Sequence, residues 1–494
     1  MASGLFVGFL CLVCLVAYLV PRKFRYVWLL LCSYGFYLYD AVDYTRHFPA
    51  FGLLLAATAI SYGCAWGIGK SQKIGHKRIF LAVTILSCLA MLIVCKYTNF
   101  FAETIEQITH LFGGALTVGR VSLVLPLGIS YYTLQTISYS IDVYKGKLEP
   151  EKNPLRYALY VSFFPGIVTG PINRATAMLQ QYKRPQAFSY DRLSGGLFRV
   201  LWGFVKKLVI ADHIGVYTAM VFGTPGDYYG PHLVLAVLLF SYQLYADFSG
   251  SCDIAIGAAR MLGFDFMENF NRPFADKTFA GLWRRWHISL TSFFKDYVYI
   301  PLGGNRVSLP RWMFNSMVVF VVSAFWHGAG IGYLIWGFLN GAVLIIGKLV
   351  HDKKEKLVGA LPLYRKPRVR GIFQRGFVYL LFSGCFAFFA FSLYNTPIAE
   401  FFSMSYSGWR LLTAGKLVDS FADAGLPVYV VLLLAVGILL VELIEMFAVK
   451  KDSTVASWIR TRKWYLRWPL YYLLLCALIT FGKFGQSSFI YQQY

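Results

Sequence analysis

The sequence predicts an all-α, polytopic membrane protein, on three observations. Hydrophobic residues make up 57% of the 494-residue chain and charged residues only 14%, against about 25% charged in an ordinary soluble domain. Apolar blocks close to membrane-crossing length recur from end to end rather than as one anchor. The basic residues behind the net charge of +23 gather in the short loops between those blocks. This is the pattern of loops held on the cytoplasmic face beside anionic lipid, and it argues against nucleic acid as a partner.

The apolar segments fall near 3–20, 26–39, 49–68, 79–95, 121–138, 155–169, 196–222, 231–247, 312–326, 329–350, 376–394, 427–449 and 468–482. Several are short for a full crossing and are expected to be tilted, re-entrant or interfacial, giving about eleven to thirteen membrane-embedded helices. The first block lacks a basic region before it and is followed by Pro21-Arg22-Lys23, so it reads as a retained helix rather than a cleaved signal. Two proline-glycine stretches, LPLGISYYTLQ at 125–135 and FFPGIVTGPINR at 163–174, should interrupt or end helices. No internal repeat or soluble insert is evident, and residues 1–494 read as one membrane-embedded domain. The nine cysteines are scattered, mostly in apolar blocks, as small hydrophobes are; Cys11 and Cys14 have no histidine or acid beside them, and no metal site is expected.

Charge also orients the chain. Arg22, Lys23 and Arg25, then Lys70, Lys73, Lys77 and Arg78, then the basic runs in 353–375 and 450–467, mark four loops as cytoplasmic. Both termini, including the tail 483–494, are then extracytoplasmic.

Two histidines occupy costly places. His327 lies in VVSAFWHGAGIGYLIWGFLN, followed by Gly328, Gly330 and Gly332, which permit a broken helix or a close backbone approach. It is a candidate general base; a structural histidine bonded across the bundle is the competing reading. His287 lies in FAGLWRRWHISLTSFFKDYVYIPLGGNR. Taken as one helix over 276–300, this segment puts Phe279, Leu282, Trp283, Trp286, Leu290, Phe293, Phe294 and Tyr297 on an apolar face that His287 borders. It would either lie along the membrane interface or position a substrate. In SYQLYADFSGSCDIAIG, Asp247 and Asp253 are ionisable groups in apolar surroundings, suited to orient a histidine or to pair with Arg284 or Arg285. Glu442 and Glu445 read as packing or headgroup contacts. There is no P-loop, dinucleotide fingerprint or H-E-x-x-H.

The run Asn271–Arg306, the FWHG of 325–328 and the stretches 125–135 and 163–174 together resemble the membrane-bound O-acyltransferase family. The similarity extends over most of the chain and is greatest to the bacterial branch of alginate O-acetyltransferase membrane subunits and D-alanyl transfer proteins. The resemblance implies acyl transfer through the membrane, with His327 as the catalytic histidine and His287 as the second. Trp286 and Ser289 lie in the same motif; Asn271 and Asp296 fall in matching stretches. His287 or Trp286 is then a candidate donor to the oxyanion. The added 350–482 region and the aromatic tail resemble the polysaccharide-acetylating type more than the D-alanyl type. They imply acetyl-CoA as donor substrate, no bound cofactor, and an exported or cell-envelope polysaccharide as final acceptor. An extracytoplasmic SGNH-type acetyltransferase would be the partner, docked by Phe489, Ile490, Tyr491 and Tyr494, at the bacterial cytoplasmic membrane. The enzyme class implied is a transferase of acyl groups other than aminoacyl. D-alanyl transfer to teichoic acid and lipid or protein O-acylation are the alternatives.

Overall fold

The computed structural model describes residues 4–39, 44–121, 125–184, 187–228, 230–350, 364, 366–407, 420–449 and 455–485. The tail residues Phe489, Ile490, Tyr491 and Tyr494 lie outside the described residues, as does most of the basic loop after 350. Among the described residues all regular structure is helical, with no strand. Eight helices among the described residues are long and apolar enough to cross a membrane. The other predicted segments, at 3–20, 26–39, 121–138, 155–169 and 196–222, form shorter or interrupted helices.

The chain divides into two compact units. One comprises Gly4–Leu197 with Ala255–Met267, the other Phe198–Ile254 with Glu268–Tyr494. In the first unit the helices are α1 (Gly4–Leu19), α2 (Arg25–Tyr39), α3 (Tyr44–Lys70), α4 (Ile74–Leu111), α5 (Ile129–Tyr144), α6 (Pro154–Ser162), α7 (Phe164–Ile167) and α8 (Ala175–Lys183). α3, α4 and α5 pack on one another, and α2 packs on α6. The proline-glycine stretches act as expected: α5 begins only after Pro126 and Gly128, and 163–174 splits into the short α7 and irregular chain.

α9 (Tyr190–Phe204) runs through a π-helical turn, Val205–Ala211, into α10 (Asp212–Gly223), and α11 spans Gly230–Met261. α11 is the most enclosed spanning helix, with 72% of its apolar window buried against 17% for α4. Its acids therefore cannot rely on water and need protein partners. The remainder of the second unit holds α12 (Phe279–Arg285), α13 (Ile288–Phe294), a π turn (Lys295–Tyr299), α14 (Leu309–His327), α15 (Ile331–Leu349), α16 (Pro367–Tyr394), α17 (Ile398–Ser407), α18 (Val428–Val449), α19 (Val455–Arg460) and α20 (Trp464–Phe481). α14, α15 and α16 pack in succession. Gly337 sets the α14–α15 approach: a Cβ there would sit 2.7 Å from both the Ala324 Cβ and the Phe320 carbonyl oxygen. On the opposite faces Leu432, Val436 and Leu439 of α18 and Phe373, Phe377 and Leu380 of α16 are exposed, as lipid-facing residues would be.

Segment 276–300 differs from the single helix its periodicity predicts. It breaks between α12 and α13, with Trp286 extended (φ −103°, ψ 127°) and His287 left-handed (φ 46°, ψ 54°). The cause is a competing set of hydrogen bonds. The Asn271 N–H donates to the Arg285 carbonyl (3.0 Å), and the Ile288 N–H donates to the Asn269 carbonyl (2.9 Å). The Ser289 N–H donates to the Asn269 side-chain oxygen (3.1 Å). These groups would otherwise continue the helix, so the neighbouring chain satisfies them instead.

Candidate active site

His327 is the last residue of α14, and the chain beyond it turns extended at Gly328 (φ −177°) and Gly330 (φ −175°). Gly328 is required for room rather than for its backbone angle, because a Cβ would meet the Tyr333 ring at 2.5 Å. The imidazole is 5% exposed. Its Nδ1 lies 2.7 Å from the Ser323 carbonyl oxygen one turn earlier. A carbonyl only accepts, so Nδ1 carries the hydrogen and Nε2 carries the lone pair. Trp336 and Phe389 approach the ring edge-to-face, at centroid distances of 4.9 and 5.6 Å.

His287 is 2% exposed, and its Nδ1 lies 3.2 Å from Asn269 Oδ1. That Asn269 atom also accepts from the Ser289 N–H at 3.1 Å, a group that can only donate, which identifies it as oxygen. His287 Nδ1 is therefore also the protonated nitrogen. Its Nε2 is buried and has no hydrogen-bond partner among the described residues. Burial, aided by the neighbouring His327, holds the His287 pKa well below its ordinary value, so the ring is neutral at physiological pH. A left-handed, non-glycine residue costs on the order of 1–3 kcal/mol and persists where its surroundings over-determine it. Here those surroundings are Asn269 and the Phe248 ring, edge-on at 4.6 Å.

Both histidines line one cavity of about 60 Å³. Its wall is otherwise almost wholly apolar or aromatic: Trp283, Trp286, Leu290, Phe294, Val319, Phe320, Trp336 and Phe386, with Thr291 and Ser323 the remaining polar residues. Among the described residues no carboxylate lines it. By the requirement of about 10–15 Å³ per water, this space holds roughly four to six waters. It has room for a small acyl group and an attacking oxygen.

The structure brings only part of the sequence-predicted set to this cavity. His327, His287 and Trp286 line it. Ser289 is fully buried beside it and binds Asn269 Oδ1 through both N–H and Oγ–H. Asn271 has an exposed side chain and contributes through its backbone. Asp296 lies in the π turn after α13, away from the cavity wall.

Asp247 pairs with Lys207 Nζ at 2.8 Å, and Lys207 also reaches Asp212 at 3.0 Å. Asp253 pairs with Lys206 (2.6 Å) and Arg199 (2.9 Å) rather than with Arg284 or Arg285. Arg199 also pairs with Glu268. Arg285 instead meets Asp276 at 3.1 Å. Glu442 and Glu445 make contacts within the protein, as the packing reading of them expects. Glu442 pairs with Arg272 at 3.2 Å, and Glu445 accepts from the Tyr245 hydroxyl at 2.6 Å, with Lys206 3.4 Å away.

The residue that sequence reasoning missed is Asn269. It stands two before Asn271, so in extended chain the two side chains face the same way only if the backbone does not turn; nothing local tells the buried asparagine from the exposed one. Ser323 had a readable signal, since it precedes His327 by one helical turn.

The described residues thus form a helical membrane bundle in which two buried histidines share one small, mostly aromatic cavity. The model of the membrane-bound O-acyltransferase family matches residues 151–393, and the chain belongs to that family. It is 36% identical over 333 residues to a probable alginate O-acetylase of Pseudomonas aeruginosa, covering 67% of this chain and 62% of that protein. The match thus spans less than two thirds of that relative's length. It is 35% identical over 382 residues to a peptidoglycan O-acetyltransferase of Helicobacter pylori, covering 72% of this chain and 70% of the relative. It is 30% identical over 284 residues to a teichoic acid D-alanyltransferase of Bacillus subtilis, covering 55% and 69%.

Proposed function

We propose that this chain is the membrane O-acetyltransferase subunit of a polysaccharide-modifying system. It takes acetyl groups from a cytoplasmic thioester, acetyl-CoA, and passes them to an acceptor hydroxyl on the external side. That hydroxyl belongs to the exported or envelope polysaccharide or to a serine of an extracytoplasmic SGNH-type partner. The observation that carries this reading is the 60 Å³ cavity shared by His287 and His327. Its size suits acetyl, and among the described residues its wall offers no carboxylate to a D-alanyl ammonium. The alginate and peptidoglycan O-acetylating relatives support the same choice.

In this reaction His327 Nε2 removes the hydroxyl proton as the oxygen attacks the thioester carbonyl. The tetrahedral intermediate collapses, the C–S bond breaks, and the thiolate takes the proton back from His327. The products are the acetyl ester and the free thiol. Aromatic walls keep water out and so suppress hydrolysis of the thioester.

His327→Ala should abolish ester-linked acetate on the envelope polymer while leaving the amount of membrane-inserted protein unchanged. Acetate released by mild alkali from cells carrying wild-type, H327A or H287A protein measures this. Normal acetylation by stably inserted H327A protein would rule out the assignment of His327.

A further inference from the structure

In these tautomers neither histidine supplies an uncommitted N–H to the reaction. Acyl transfer builds negative charge on the carbonyl oxygen, which needs preorganised donors to hold it. His287 cannot serve, because its one N–H is committed to Asn269 Oδ1 at 3.2 Å. His327 has committed its N–H to the Ser323 carbonyl at 2.7 Å. Two other residues on the same cavity wall carry a buried donor with no partner among the described residues: Nε1 of Trp283 and Nε1 of Trp336. An indole N–H is donor-only, and buried donors are almost always paired in folded proteins.

Both rings are held in place. Trp336 is 1% exposed and packs edge-on against Phe386 (5.3 Å) and Phe389 (5.5 Å). Trp283 packs edge-on against Phe320 at 5.3 Å, and the two indoles meet at 6.1 Å with planes 67° apart. Trp336 in turn lies 4.9 Å from the His327 ring. The packing fixes the planes of both indoles, while a neighbouring ring must give way slightly for a carbonyl oxygen to reach either N–H, since neither nitrogen presents accessible surface in this conformation.

We propose that the indole N–H groups of Trp336 and Trp283 form the oxyanion site for the acyl carbonyl, a role that rests on the acetyl-transfer reading above. As the acceptor oxygen bonds to the carbonyl carbon, the C=O π pair moves onto oxygen, where the two N–H groups donate to it. When the pair returns, the C–S bond breaks and the thiolate leaves. Neither indole gains or loses a proton, so the whole acid–base role stays with His327.

The test replaces Trp336 by 3-benzothienylalanine, which keeps the bicyclic shape and substitutes sulfur for N–H; Trp336→Phe and Trp283→Phe serve as further variants. In full-length protein carrying His327→Ala, isotope-edited infrared spectra of acetyl-CoA labelled with 13C at the carbonyl should show the stretch lowered on binding. The benzothienyl variant and Trp283→Phe should return it toward the free value. With His327 intact, thiol release from acetyl-CoA should fall about 100-fold in kcat for the benzothienyl variant, with KM changed less than about threefold. A bound carbonyl whose stretch stays lowered in both variants, or wild-type kcat in both, would overturn the indole assignment alone. Failure of acetyl-CoA to bind would overturn the acetyl-transfer reading with it.

Discussion

At His287 three donors converge on one oxygen. Asn269 Oδ1 accepts from the His287 Nδ1–H, the Ser289 N–H and the Ser289 hydroxyl, at 3.2, 3.1 and 2.9 Å. Its amide nitrogen donates to Cys252 Sγ at 3.2 Å, so the side chain is anchored on both sides. Because this acceptor is uncharged, it fixes the tautomer without stabilising an imidazolium. The folded pKa of His287 thus lies well below its ordinary value, and between the two an unfolded chain would bind a proton that the folded one refuses. Stability from this group is accordingly intact above about pH 6.5 and declines as pH falls below it. Asn269→Asp keeps an acceptor for Ser289 and His287 but places a negative charge beside the ring. That charge favours the imidazolium and raises the His287 pKa. The acid limb of the pH–rate profile for acetyl transfer should therefore move to higher pH in N269D, whereas Asn269→Ala should lower activity across the profile. An N269D profile superimposable on wild type would show that His287 does not need its free Nε2.

The elements that carry the site are set by how closely their backbones approach and by where they stop. α14 ends at His327 because the following glycines run extended and the Tyr333 ring fills the space a side chain at Gly328 would need. α14 and α15 then pack closely through Gly337, which faces Ala324 and the Phe320 carbonyl. Gly337→Val should force the two helices apart. It should cost about 1–3 kcal/mol as an overpacked contact, read as a lower melting temperature of the detergent-solubilised protein. Because Trp336 and Phe320 flank this contact and line the cavity, thiol release should fall as well. Of the apolar face that the periodicity of 276–300 predicts, Trp283, Trp286, Leu290 and Phe294 share the cavity wall. The periodicity missed the break at Trp286–His287 because that break depends on Asn269 and Asn271, more than a dozen residues upstream of the groups they capture.

Across the whole molecule, direction is the property that function needs. The basic loops at 22–25, 70–78, 353–375 and 450–467 favour the cytoplasm, and the proposed path of the acyl group needs the thioester donor on that side and the tail on the other. In a variant without native cysteines, Tyr494→Cys should react with a membrane-impermeant maleimide in spheroplasts. Lys366→Cys should react only after permeabilisation. The opposite labelling would reverse the proposed path of the acyl group. The buried charges of the second unit are the other whole-molecule feature. Arg199, Lys206 and Lys207 meet Asp253, Glu268, Glu445, Asp247 and Asp212 in linked pairs. Removing Lys206 or Lys207 would leave two buried acids without that counter-charge, a loss of about 3–5 kcal/mol. The ion pairs therefore help to hold these helices together.

The amino-acid sequence by itself determined that this is a helical membrane protein. Helical hydrogen bonds close within a segment, so apolar length alone specifies a membrane helix. Every apolar segment read from the sequence falls wholly or partly on helix. The glycines after His327 likewise marked its helix end, a local effect. The tertiary structure alone decided which polar groups meet. It chose Asn269 over Asn271, paired Asp247 with Lys207, and set Trp336 beside His327. Such contacts join residues far apart in the chain, and in a dry interior each polar group is held by whichever partner the packing brings within reach.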